Sequence, residues 1–220
     1  MQEKSLGIKD NPRCQLCGDT GIEYIGERAV RVCQCVLENK IKKAVGETFV
    51  KKGFKEYIPK NESQVRALGA FKRNLEGSFY LYGDFGSGKT HLLSAQYSAM
   101  VRDRSKKEMV FMTDIEYVNS VRQKDPLIKI EDIKKAKDGI HLFFKDFGKT
   151  TPTAWALEEL FNIIDAIYSR QGEGEKFGIS IASNSELSVI ADRYDIEGTA
   201  LGGAIARRIE DMCEVYKINN

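Results

Sequence analysis

Apolar residues fall into two alternating rhythms along this chain. Short, mostly apolar runs occur at 78–82, 109–114, 141–148 and 177–184, and a further short strand pattern at 214–218. Each is bounded by glycine or polar residues, which predicts buried strands. Between them the apolar positions recur at helical spacing. Leu92, Leu93, Ala95, Ala99 and Met100 form one such set, and Tyr117, Val118 and Val121 begin another. Residues 130–137 predict a short amphipathic helix, and Trp155, Leu157, Leu160, Phe161, Ile164, Ile167 and Tyr168 a long one. Residues 185–195 and 200–212 read as helices too. Upstream, Val65, Leu68, Phe71 and Leu75 mark a helix over 61–77, and 36–45 marks another. Residues 21–32 read as two short strands turning at Gly26, and the polar first 13 residues as a loose tail. Strands alternating with helices predict an α/β fold, a central parallel sheet flanked by helices on both faces. Ligands then bind at the carboxyl ends of the strands.

The strand at 78–82 runs into Gly83-Asp84-Phe85-Gly86-Ser87-Gly88-Lys89-Thr90, which fits the phosphate-binding P-loop pattern. Its glycines let backbone N–H groups approach phosphate oxygens. Lys89 supplies a point charge for the β- and γ-phosphates, and the Thr90 hydroxyl a ligand for Mg²⁺. The helix that follows aims its positive end at the anion. A nucleoside triphosphate is therefore the expected ligand. Asp146 and Asn184 end two other strands and should reach the same edge of the sheet.

A hydrolase of this plan needs an acid for Mg²⁺ and a group that orients the attacking water. The strand 142–146 supplies one acid, Asp146, preceded by Lys145 where a first acid is expected. Lys145 either swings out to solvent with the chemistry intact, or weakens hydrolysis. Asp114, at the end of the neighbouring strand, is a possible substitute. Asn184 would hold water or the γ-phosphate, unless it is only a strand-end turn residue. Arg207 and Arg208 are either surface charge or a finger for a neighbouring subunit's phosphate.

Composition adjusts this picture at the amino-terminal end. Of five cysteines, Cys14, Cys17, Cys33 and Cys35 lie within 22 residues, as C-x-x-C and C-x-C flanking the hairpin. The hairpin would bring both pairs to one tetrahedral Cys₄ site for Zn²⁺, structural because four thiolates leave no open position. A redox C-x-x-C normally accompanies a βαβ pattern, and none surrounds this one. Cys213 reads as a core cysteine. Residues 36–60 are rich in lysine with interleaved aromatics, which suits either nucleic acid or a solvated face. Other basic candidates for nucleic acid are Arg122, Lys124, Lys134 and Lys135. The net charge of +2 makes no argument for nucleic acid by itself. No apolar run suits a membrane span, and no signal peptide is visible, so a cytoplasmic protein with no membrane partner is expected. The expected organisation is a zinc-binding module over 1–36, a basic helical linker over 37–60 and an ATPase domain over 61–220.

The series of Cys₄ cluster, basic linker, Gly83–Thr90 with His91-Leu92, Asp146-Phe147-Gly148, Ser183-Asn184 and the run 208–213 resembles AAA+ helicase loaders of the DnaC/DnaI type. It is also similar to the IstB-type transposition helper ATPases. The resemblance covers nearly the whole chain. It implies an AAA+ protein that binds ATP and Mg²⁺, binds a replicative hexameric helicase, and helps place it on single-stranded DNA. Self-association through the AAA+ domain is implied as well. Residue by residue, Lys89 and Thr90 match the Walker A pair, with His91 beside the nucleotide. Asp146 matches the second Walker B acid, Asn184 sensor 1, and Arg208 the arginine finger, with Arg207 as the alternative. Lys145 departs from the pattern, and no sensor 2 arginine follows the last strand; both put hydrolysis in doubt. The alternatives are a transposition helper or a non-hydrolysing ATP-binding adaptor.

Overall fold

The structure, a computed structural model, describes residues 13–26, 29–196 and 198–220. These five segments form one parallel sheet: β3 (Phe79–Gly83), β4 (Glu108–Thr113), β5 (Ile140–Phe147), β6 (Gly178–Ser183) and β7 (Glu214–Ile218). Their order across the sheet is β4-β5-β6-β3-β7. The P-loop strand β3 thus pairs with β6 and β7 and not with β4, the next strand in the chain. The chain reverses its winding direction there, which opens a crevice at the carboxyl edge.

The inner strands are covered on both faces and are mostly apolar, whereas the edge strand β7 is largely exposed apart from Ile218. Tyr80, Leu142, Phe144, Ile179 and Ile181 face one core with α4 (Asp114–Arg122), α5 (Ile130–Lys135), α6 (Ala154–Gly172) and α8 (Leu201–Met212). The short α7 (Leu187–Arg193) adds Ile190 to it. On the other face, Phe143 and Ala182 pack with α3 (Lys89–Arg102) and α1 (Gln34–Val45). There Phe79 stacks on Phe71 of α2 (Glu62–Arg73), ring centroids 4.0 Å apart.

Three elements differ from their sequence patterns. In α2 the buried face is Gln64, Ala67, Ala70 and Phe71, while Val65 is half exposed. The helix turns this way because the Gln64 amide donates to the carbonyls of Asn219 and Ser87. Trp155, read as part of a packed face, is also half exposed. The basic segment contributes core as well as surface: Leu37, Ile41 and Val45 of α1 are buried against Leu93, Tyr97 and Met100 of α3. Near the amino terminus, β1 (Ile22–Ile25) and β2 (Ala29–Val32) pair antiparallel as the expected hairpin. Two residues of its connection, 27 and 28, and the tail 1–12 lie outside the described residues. Among the described residues, no helix is long and apolar enough to cross a membrane.

Candidate nucleotide pocket and metal centre

The loop between β3 and α3 folds as its glycines require. Gly83 has φ +132°, and a Cβ there would overlap the Ile218 carbonyl of β7. Gly88 has φ +93°, and a Cβ there would lie 2.7 Å from the Tyr57 ring. Neither position accepts a side chain. The Lys89 ammonium is curled into the loop, donating to the carbonyls of Gly83 (2.9 Å) and Asp84 (2.6 Å) and to Ser87 Oγ (3.3 Å). Burial lowers its pKa, with Asp84 and Asp146 acting in the opposite direction. It is a desolvated cation placed where phosphate oxygens would be better partners than carbonyls.

A cavity of about 300 Å³ opens over this loop. From the expected site it collects Phe85, Gly86, Gly88, Lys89, Thr90, His91, Asp146 and Asn184. Gly83, Asp84 and Ser87 complete the loop from behind it. Phe49 and Lys52 also line the cavity, and the sequence reading did not assign them to it. The basic, aromatic character of residues 36–60 was the available signal. His91 secures this segment: its Nε2 lies 3.0 Å from the Gly53 carbonyl, and its ring meets Tyr57 edge-on at 5.1 Å. Burial lowers the His91 pKa, which favours the neutral ring. At the other end of the loop, the Asn220 amide donates to the Phe85 carbonyl.

Asp146 reaches the cavity through a bulge. Lys145 and Asp146 together oppose the single residue Ala182 on β6, and Asp146 takes φ +60°. This left-handed backbone is costly for a residue with a Cβ, and such strain concentrates at functional sites. The Asp146 carboxylate is ion-paired with Lys149 at 2.8 Å. The Lys149 ammonium also lies 5.8 Å from the Phe85 ring centroid at the loop tip. Lys145 points elsewhere: its ammonium sits 5.9 Å from the Phe111 centroid and lines a separate cavity with Lys43, Phe111 and Glu116.

Asp114 is not a substitute metal acid. It is buried as the first residue of α4, and its Oδ2 accepts from the N–H of Gly148 (2.9 Å), the Tyr194 hydroxyl (3.2 Å) and the Thr150 N–H (3.4 Å). Its work is to hold the loop after β5, whose Gly148 carbonyl accepts in turn from Arg193. Ser183 Oγ donates to the Phe147 carbonyl at 2.8 Å, tying the end of β6 to the same loop.

Thr90 and Asp146 do come together, as a Mg²⁺ site needs. The fit is poor, however, because the single carboxylate lining the cavity is already paired with an ammonium and Lys145 brings no second acid. Arg208 lies outside its own chain's pocket, paired with Asp165 and stacked on Phe161 and Tyr168 of α6. Arg207 is exposed on α8 and borders a surface groove with Leu187 and Ala191 of α7.

The four thiols meet the demands of a tetrahedral ion far better. All four Sγ atoms lie within 4.8 Å of one another. Cys14–Cys33 and Cys17–Cys35 are 3.8 Å and 3.6 Å apart. Zn–S bonds of about 2.3 Å in a tetrahedron give S···S edges of about 3.8 Å, so the cluster could hold Zn²⁺ with little movement. The Cys17 thiol is drawn down to about 7; burial opposes this, and the Gly21 backbone and the other three thiols favour it. Burial and the thiols of Cys14, Cys17 and Cys33 push Cys35 up to about 12. Thiolates this close repel one another, and a bound cation would offset that repulsion. Cys213 is remote, its thiol donating to the Ile179 carbonyl.

This sheet order and loop build the P-loop NTPase fold in its AAA+ arrangement. The chain is 24% identical to the phage-like element PBSX protein XkdC of Bacillus subtilis, over 93% of this chain and 81% of XkdC. Its fold is that of DnaI, at a TM-score of 0.60 and 17% identity, over 81% of this chain and 91% of DnaI. It is also that of the DnaC helicase loader, at 0.59 and 20% identity, over 78% and 99% of the two chains. No protein-family model matches the chain.

Proposed function

We propose that this chain is an ATP-binding helicase loader, a protein that helps place a replicative hexameric helicase on single-stranded DNA. The observation that carries the reading is the P-loop cavity, with Asn184 and the bulged Asp146 at its wall, on the AAA+ sheet. ATP enters it with its phosphates on the loop and its base toward Phe49. Asn184 serves as the γ-phosphate sensor, and Arg208 or Arg207 reaches the nucleotide of a neighbouring copy. For Arg208 that requires release from Asp165. Zn²⁺ on Cys14, Cys17, Cys33 and Cys35 would supply the cohesion that the exposed hairpin lacks as a core of its own. Such a protein works in the cytoplasm.

The test is co-purification of the full chain with the cognate helicase, with and without ATP and zinc. ATP-dependent association supports the reading, and no association in any condition refutes it. A second reading, a non-hydrolysing ATP-binding adaptor, is favoured by Lys145 at the first acid's position and by the Lys149 ion pair on Asp146. Steady-state turnover by the parent and by Lys145→Asp separates the two.

A further inference from the structure

The charges around the phosphate cavity are arranged for a polyanion and against a divalent metal. Lys52 and Lys89 line it, and Lys149 stands beside it, paired with Asp146 and over the ring of Phe85, both of which line the cavity. The one lining carboxylate, Asp146, is engaged by Lys149, so a metal ion would have to break an ion pair to use it. The placement of Lys149 is built into the fold. Gly148, just before it, has φ +82°, its N–H bonded to buried Asp114 and its carbonyl to Arg193.

We propose that this chain binds its nucleoside triphosphate without Mg²⁺, the Lys149 ammonium taking the metal's place as counter-charge at the terminal phosphate. The proposal rests on the ATP-binding reading above. Mg²⁺ ordinarily bridges the β- and γ-oxygens and neutralises them. Here an ammonium already poised at the loop tip does so with a second of its three N–H donors, while the first stays on the Asp146 carboxylate and keeps it from a metal. A nucleoside diphosphate lacks the terminal phosphate, so it gains little from Lys149. The same cation therefore makes the site discriminate ATP from ADP.

Calorimetric titration of the zinc-loaded full chain tests this. ATP and ADP are each titrated in magnesium-free buffer cleared with a chelating resin, so that zinc stays bound, and again with millimolar Mg²⁺. The parent should bind ATP within about threefold of the same affinity in both buffers. Lys149→Ala should lose about tenfold in metal-free ATP affinity, with ADP affinity nearly unchanged. An unaltered melting temperature without nucleotide would show that this exposed substitution leaves the fold intact. The inference alone is overturned if the parent binds ATP at least about tenfold tighter with Mg²⁺, or if Lys149→Ala matches the parent without metal. If ATP binds in neither buffer, the ATP-binding reading falls and takes the inference with it.

Discussion

Asp114→Ala provides the sharpest separation of a structural acid from a catalytic one. The carboxylate is 1% exposed, and its Oδ2 serves two buried donors, the Gly148 N–H and the Tyr194 hydroxyl, with Thr150 N–H at longer range. Truncation strands both donors in a space closed to bulk water. Each buried unsatisfied group costs about 1–3 kcal/mol, and relaxation recovers part of it. The expected loss is therefore about 3–4 kcal/mol. For a chain of this size each kcal/mol moves the melting temperature by about 2–4 °C, so a fall of about 10 °C is expected. Urea unfolding followed by far-ultraviolet circular dichroism measures the first quantity, and a thermal melt the second. The loop 146–149 should also lose its fixed geometry, so ATP affinity should fall in the folded fraction. A metal-holding Asp114 would behave otherwise, with stability intact and only metal-dependent turnover lost. A stability loss below about 1 kcal/mol would refute this structural role for Asp114.

Gly88→Ala should abolish nucleotide binding and cost about 1–3 kcal/mol, because its Cβ meets the Tyr57 ring at 2.7 Å on a left-handed backbone; calorimetry and urea unfolding read the two effects. Stripping metal with a strong chelator should disorder the hairpin while the sheet domain remains folded. Hydrogen exchange confined to 14–36 would show this, and an unchanged hairpin would count against a structural ion. His141 is fully buried beside Ser180 Oγ, and burial, with Lys107, holds its pKa down at about 3, against 6.5 for an ordinary histidine. The unfolded chain takes up this proton first. Its contribution is thus complete above pH 6.5 and is lost as the pH falls toward 3, by about 1.4 kcal/mol per pH unit. His141→Asn should flatten the pH dependence of stability below 6.5 relative to the parent, and parallel profiles would refute the assignment.

The parts legible in the sequence are those encoded by neighbours along the chain. Apolar runs and helical spacing are local signals, and they yield the strands, most of the helices and the α/β class. The P-loop is legible because phosphate binding needs glycines and Lys89-Thr90 at fixed offsets. The thiol cluster is legible because C-x-x-C and C-x-C across a hairpin leave little choice of geometry. The face of α2 was misread because Gln64 is buried by its bonds to Asn219 and Ser87, which apolar periodicity does not register.

By itself, then, the sequence determined a parallel α/β nucleotide fold, its phosphate loop and a four-thiol module. The tertiary structure alone decided what surrounds the phosphates. Asp114 had the residue type and strand-end position of a metal acid; the approach of Gly148 and Tyr194, from distant segments, makes it a bolt. Nothing in the sequence pattern marks Lys149; the bulge at Asp146 brings it onto that carboxylate and beside Phe85. Phe49 and Lys52 reach the cavity because α1 packs on α3 and His91 holds the segment that follows. Backbone pattern follows from local sterics and from which faces must be buried. The charge environment of a site depends on contacts between segments far apart in the chain, which only the assembled sheet brings within reach.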